Sequence, residues 1–369
     1  MVKNEKQSTE ALKSMLVKAP RKVLKPEDYL HTGSSMVNLG ITGFVDRGIA
    51  KGTFALLVGG SSAGKTWLAH TCFAEATISE AFKNHRLIYD PSENGALMDL
   101  EFYFGKKVAD RLEWPRVVDD KPVYSKTVEE MCFAIDDAFD VGRPFIFVED
   151  SIDGLSSNPE QKKFDEHKEA NRKGKMDVKG DFGDGKPKIL SRGLRTIVSE
   201  LERTDSILII LNQTRDNINA GPWEPKETRS GGRALIFYAH TVAWMKVAGH
   251  VEKTFRGKKR ELGVLTKIKI RKNRTNGRVR EVTIPILHSF GIDDLGSMVD
   301  YLLDEKVWKS TDKGIITVTG LGPEWTGRRD SIIKRIEDDG LEDDLKAVVQ
   351  KTWDEIEEAL KVKRKSRYS

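Results

Sequence analysis

Short unbroken apolar runs alternate along this chain with segments whose apolar residues recur at helical spacing. Residues 54–58, 86–89, 144–148 and 206–211 are runs of strand length, apolar enough to be buried on both faces. Between them, 96–111, 127–139 and 194–201 carry apolar positions every three or four residues; in 127–139 these are Met131, Ile135 and Phe139. Such alternation predicts an α/β fold with a central, mostly parallel sheet covered by helices on both faces. Further strands are expected at 241–247, 263–270 and 280–286. Ahead of the first run, Ser8 to Ala19 forms a short amphipathic segment with Leu12, Met15 and Leu16 on one face, ended by Pro20. A helix that short is marginal alone and needs a surface to pack on, in its own core or in a neighbouring subunit.

The pattern fails in two places. Residues 156–188 and 214–232 are long, polar and rich in glycine, asparagine or lysine, and both follow the C-terminal ends of apolar runs, where open α/β sheets bind ligands. The organisation expected is a 1–30 arm, a 31–291 core carrying both loops, and a smaller α-rich appendage over 292–369. The appendage combines an acidic stretch (ten acids from Glu337 to Glu358) with a basic end from Lys361 to Arg367. Solvated helices with a frayed end and a regulatory tail both fit that charge pattern.

With 369 residues, 38% hydrophobic and 32% charged, the chain can bury a sizeable core. No apolar run reaches membrane-spanning length, so no membrane partner is expected. The first residues lack an apolar signal core, and Cys72 and Cys132 are the only cysteines; both point to a reducing, cytoplasmic setting. The net charge of +5 permits a nucleic-acid partner without requiring one.

The chemistry centres on the first apolar run. It leads into Gly59-Gly60-Ser61-Ser62-Ala63-Gly64-Lys65-Thr66, and a helical pattern follows. Strand, glycine loop and helix together specify a phosphate-binding P-loop. The glycines let backbone N–H groups aim at phosphates, Lys65 supplies a point charge, Thr66 offers a hydroxyl for Mg²⁺, and the helix start favours an anion. ATP and Mg²⁺ are the ligands this predicts. Asp150 ends an apolar run, the place of a carboxylate that organises Mg²⁺ with Thr66. Glu93 follows the neighbouring run; a base for an attacking water and an acid at a helix start fit it equally. Gln213 ends the 206–211 run and fits either a phosphate-sensing amide or a loop amide satisfied by backbone.

Taken in order, these segments resemble the RecA/UvsX/RadA recombinases over roughly residues 30–310. The carrying residues are His31-Thr32-Gly33-Ser34-Ser35, the P-loop, Tyr89-Asp90-Pro91-Ser92-Glu93, Val148-Glu149-Asp150-Ser151, Leu211-Asn212-Gln213-Thr214-Arg215 and Gly231-Gly232-Arg233-Ala234-Leu235. One extra residue separates Asp90 from Glu93 relative to the common spacing. The resemblance implies a RecA-type ATPase core of the bacterial or phage branch that forms a helical homo-oligomeric filament on single-stranded DNA and pairs it with double-stranded DNA. A single-strand-binding protein and a loader are implied as further partners. Glu93 is implied as general base and Gln213 as γ-phosphate sensor. Residues 156–188 and 214–232 are implied as DNA loops, the second offering Arg215, Trp223, Lys226, Arg229, Gly231 and Gly232. Trp223 stacks on bases in that reading; as a loop anchor it would tuck against the body. Lys272 and Arg274 are implied to reach the nucleotide of an adjacent subunit. The other cations of 252–280 fit a solvated strand face or a DNA groove. A hexameric helicase and a recombination mediator that hardly turns ATP over are the alternative functions.

Overall fold

The computed structural model describes residues 23–93, 98–173, 185–216, 227–229 and 231–364; for 215–216 and 227–229 it describes the backbone alone. The 1–22 part of the expected arm, Trp223 and Lys226 lie outside the described residues.

A ten-stranded mixed sheet carries the molecule. In chain order its strands are β1 (Phe54–Gly59), β2 (Arg86–Asp90), β3 (Leu112–Glu113), β4 (Phe145–Glu149), β5 (Ile207–Asp216), β6 (Glu227–Arg229), β7 (Thr241–Phe255), β8 (Lys258–Asn273), β9 (Arg280–Leu287) and β10 (Gly291–Ile292). They lie in the order β10-β9-β8-β7-β1-β5-β4-β2-β3, with β6 hydrogen-bonded to β5. The pairs from β7 through β1, β5, β4 and β2 to β3 are parallel, and those from β7 out to β10 are antiparallel.

Both faces are buried, which is why the central strands are mainly apolar: all six residues of β1 and all five of β4, down to its terminal Glu149, are buried. One face packs on α1 (Ser35–Ile41), the P-loop helix α2 (Lys65–Ile78) and α9 (Asp294–Asp304). The other packs on α5 (Val128–Asp140), α7 (Gly185–Thr204) and the short α8 (Gly232–Tyr238). Residues alternate between the layers along β5: Ile207, Ile209 and Leu211 join the first cluster, and Leu208 and Ile210 the second.

Three differences from the sequence pattern have physical causes, and a fourth lies in the C-terminal part. The helix expected over 96–111 is broken into α3 (Leu100–Phe104) and α4 (Lys106–Arg111), because Gly105 takes a φ of 84° between them. The polar stretch 156–188 is not all loop. It contains α6 (Asn158–Arg172), started by Pro159 in its first turn and a capping box between Ser157 and Glu160, with no buried residue on any face. β7 and β8 extend far past 247 and before 263, pairing with each other to Phe255↔Lys258. Both faces of that ribbon meet solvent, so no apolar alternation marks it. The C-terminal part holds α10 (Arg329–Asp339), α11 (Glu342–Ala359) and a three-stranded sheet, Lys309–Ser310, Ile316–Val318 and Trp325–Gly327. Its Leu345, Val349 and Trp353 continue the core cluster on the P-loop helix face. Among the described residues, no helix is long and apolar enough to cross a membrane.

Candidate nucleotide site and its link to the second loop

The P-loop turns as the glycines require. Gly64 sits at φ +83° at the cap of α2, and an added Cβ would lie 2.2 Å from Ile286 Cδ1. Gly59 lies so close to β7 that a Cβ would be 2.3 Å from the Met245 carbonyl oxygen. The Lys65 ammonium donates to the carbonyls of Gly59 (3.0 Å) and Gly60 (2.8 Å). Burial pulls its pKa below the usual lysine range, and the charges of Asp150, Glu93 and Asp153 oppose that. Next to it, Thr66 Oγ1 donates to Asp150 Oδ2 at 2.8 Å, and Tyr89 Oη donates to the same oxygen at 3.1 Å. Burial raises the Asp150 carboxyl above its usual range, Glu93 adds to the rise, and the bonds from Thr66 and Tyr89 counter it.

This donor set fits Mg²⁺ bound with a nucleotide. Among the described residues no group of three His, Cys, Asp or Glu forms a metal cage. Mg²⁺ needs none, because it is held through one or two protein oxygens together with phosphates and water. A cavity of about 250 Å³ opens over the loop, lined by Ser62, Gly64, Lys65, Thr66, Trp67 and His288 among others.

Glu93 stands at the mouth of this site on the turn after β2. Its Oε1 accepts a short hydrogen bond from Ser151 Oγ and one from Gln213 Nε2 at 2.8 Å, and its Oε2 lies 3.0 Å from the same amide nitrogen. Sequence reasoning brought Glu93 and Gln213 to the same mouth without pairing them. It passed over Tyr89, Ser151 and Asp153. Tyr89 and Ser151 lie inside the quoted segments beside Glu93 and Asp150, so their position was the available signal.

Gln213 pairs in register with Gly59, the first P-loop glycine. Beyond it, β5 leaves the sheet and forms a hairpin with β6, Thr214↔Arg229, Arg215↔Thr228 and Asp216↔Glu227. Residues 217–226 therefore connect β6 to β5, the strand that runs beside the start of the P-loop. Arg215 and Arg229 are placed on this hairpin by their backbone. Gly231 and Gly232 have a folding reason of their own. Both take positive φ (78° and 65°) at the start of α8, and a Cβ on Gly232 would sit 3.0 Å from Pro187 Cβ.

Lys272 and Arg274 lie away from the P-loop of their own chain. Lys272 is level with Val242, which is level with Leu56 near the start of β1, whereas the P-loop follows its end. Their charged groups cap the C-terminus of α8, on the sheet face opposite α2. Lys272 Nζ donates to the carbonyls of Ile236 (2.6 Å) and Phe237 (2.8 Å), and Arg274 Nη2 to that of Phe237 (2.9 Å). Burial, with the Arg274 charge beside it, brings the Lys272 pKa down to about 8.

A glycine loop of P-loop pattern on the central strand of a mostly parallel sheet, with an acid at the end of the strand two places away, is an arrangement of the α/β class. A family model described as the RecA N-terminal domain matches residues 169–293. RecA of Azoarcus sp. (strain BH72) is 31% identical over 137 residues, 36% of this chain and 38% of that protein. RecA of Roseiflexus sp. (strain RS-1) is 26% identical over 261 residues, 69% and 63% of the two chains. RecA of Wolbachia sp. subsp. Drosophila simulans (strain wRi) is 26% identical over 296 residues, 78% and 72%. The chain thus spans well under half of the first of these relatives and just under two thirds of the second. Over much of its length the chain is distantly similar to RecA proteins.

Proposed function

We propose that this protein is an ATP-dependent homologous recombinase, a DNA-stimulated ATPase that forms filaments on single-stranded DNA and promotes pairing and strand exchange, acting in the cytoplasm. The observation that carries this reading is Gln213. Its side chain meets Glu93 at the phosphate end of the P-loop, and its main chain runs straight into the hairpin that bounds 217–226. Nucleotide state and DNA grip then share one residue.

In this reading Lys65 and the loop N–H groups hold the phosphates, and Thr66 and Asp150 hold Mg²⁺. When bound, that ion neutralises charge on the phosphate oxygens. Glu93 accepts the proton of the attacking water, and Ser151 fixes the orientation of its carboxylate. Gln213 must release Glu93 to reach a γ-phosphate, so the base is occupied until nucleotide draws the amide away. Lys272 and Arg274 belong to the site of the next subunit, a role supported by their place at the far end and opposite face of their own sheet. The named DNA contacts Arg215, Trp223, Lys226, Arg229, Gly231 and Gly232 are part of the proposal.

The test is ATP hydrolysis with and without single-stranded DNA and with Mg²⁺ or a chelator, alongside electron microscopy with a non-hydrolysable analogue. Mg²⁺-dependent hydrolysis stimulated by DNA, with helical filaments, is expected. Closed rings would favour a helicase, and discrete particles without turnover a mediator.

A further inference from the structure

Where β5 leaves the sheet, an unusual side-chain bond takes over from its neighbour. β4 pairs with β5 only from Ile146↔Ile207 to Glu149↔Ile210. Past Ile210, the edge of β5 that faced β4 has lost its strand partner, yet the chain stays inside the protein: Leu211 and Asn212 are fully buried and Gln213 is half-buried. Buried backbone N–H and C=O groups need partners. The turn after β4 supplies them. It is closed by Gly154 N–H on the Ser151 carbonyl at 3.0 Å, and its Ile152 N–H donates to the Leu211 carbonyl at 3.0 Å. Two residues on, the backbone ladder gives way to Asp153. Its Oδ2 accepts the Gln213 main-chain N–H at 2.5 Å and the Asn212 side-chain amide at 2.9 Å.

We propose that Asp153 is a positioning residue for nucleotide sensing. It holds the Gln213 main chain and the Asn212 side chain at the point where sheet becomes hairpin, so that a swing of the Gln213 side chain between Glu93 and a nucleotide is passed to the hairpin. This rests on the nucleotide-hydrolysis reading above and assigns its pivot. A carboxylate suits the task because a charged acceptor makes stronger bonds than a carbonyl, and one oxygen serves two donors. Without a fixed backbone, a shift of the Gln213 amide would be absorbed as local motion of β5. With it, the shift must turn the side chain and the hairpin that follows.

The experiment compares wild type, Asp153→Ala and Asp153→Asn in the full-length protein. Hydrogen exchange is read at the Gln213 amide without nucleotide, and hydrolysis is read with and without single-stranded DNA. Loss of one charge-assisted hydrogen bond should speed Gln213 exchange about tenfold in Asp153→Ala, and lower the ratio of DNA-stimulated to DNA-free hydrolysis by a similar factor. Asp153→Asn keeps an acceptor oxygen and should restore most of both. Wild-type protection of Gln213 in Asp153→Ala would overturn the assignment. So would equal losses of DNA-free and DNA-stimulated rates. If wild type itself shows no DNA-stimulated hydrolysis, the functional reading fails, and the exchange measurement still decides whether Asp153 pins this strand. Should Asp153→Ala not fold, a Gln213 amide in Asp153→Asn that exchanges as fast as its unfolded chain would sink the idea, and near-wild-type protection would support it.

Discussion

Replacing Gly64 with alanine tests how the P-loop is held. Gly64 has a φ of +83°, and a Cβ there would lie 2.2 Å from Ile286 Cδ1, a side chain 2% exposed in the core between β9 and α2. Two costs follow. Placing an L-residue in the left-handed region costs about 1–2 kcal/mol, and forcing a methyl into a packed core costs about 1–3 kcal/mol. Gly64→Ala should therefore lose roughly 2–5 kcal/mol in urea unfolding. Only the second cost depends on Ile286. Ile286→Val deletes the offending Cδ1 at its own cost of about 0.5–1.5 kcal/mol. The double variant should then be more stable than the sum of the single effects predicts, by about 1–2 kcal/mol, well outside the few tenths expected of independent sites. Nucleotide binding offers a second readout, since the displaced loop carries Lys65 and Thr66. A tenfold weaker affinity would reduce ligand-induced stabilisation by about 1.4 kcal/mol, and the double variant should recover part of it. Additive stabilities in the cycle would show that the methyl does not meet Ile286, and would refute the packing argument.

Two further predictions concern charge. A chain carrying Lys272→Gln and Arg274→Gln should lose hydrolysis while losing only about 0.3–1 kcal/mol of stability per cation at the α8 C-terminus. Mixing it with Lys65→Ala chains should restore part of the hydrolysis, because some interfaces then hold Lys65 from one chain and the cations from the other; no recovery would place the pair outside the nucleotide site. His70 is buried, and neither of its ring nitrogens has a hydrogen-bond partner among the described residues; its ring lies 4.6 Å from that of Tyr89, and burial holds its pKa down to about 4 from the ordinary 6.5. Between these values the unfolded chain takes up a proton that the folded chain refuses. The stability His70 permits is complete above pH 6.5 and falls by up to about 1.4 kcal/mol per pH unit as the pH drops toward 4. His70→Leu should flatten that acid slope in urea titrations at pH 5 and 7.5, and parallel slopes for the two proteins would sink the argument.

Legibility in the sequence followed burial. The central strands were readable because both their faces are covered, so β1, β2, β4 and β5 appear as unbroken apolar runs. The outer ribbon of β7 and β8 was invisible beyond 247 and before 263 for the opposite reason, since its residues there are exposed or at most half-buried. α6 is a helix by its capping box and proline rather than by any apolar stripe, so a search for helical periodicity passed over it. In the site, Lys65, Thr66, Asp150, Glu93 and Gln213 could be named because their residue types sit at strand ends beside a P-loop. That Gln213 hydrogen-bonds Glu93 could not be read, because it depends on how two strands separated by β4 present their ends.

The missing strand partner beside the end of β5 also suits Gln213 to the sensing role proposed for it. A residue inside a fully paired parallel ladder is held on both edges and cannot transmit displacement except by breaking the sheet. A residue on a free loop moves without consequence. Gln213 lies between these limits. One edge is registered against Gly59 in β1, and on the other, past the Ile152–Leu211 bond, the Gln213 N–H is held by the side chain of Asp153 in place of a strand. The strand is thus stiff enough to carry a shift into the β5–β6 hairpin, and its attachment on one side is weak enough for binding energy to alter. One charge-assisted hydrogen bond, about 1.5–3 kcal/mol, is of the size of a typical coupling free energy between two sites, about 1–3 kcal/mol. A junction held by several strand bonds would need more energy than one sensor amide can exchange. A junction held by none would have nothing to transmit.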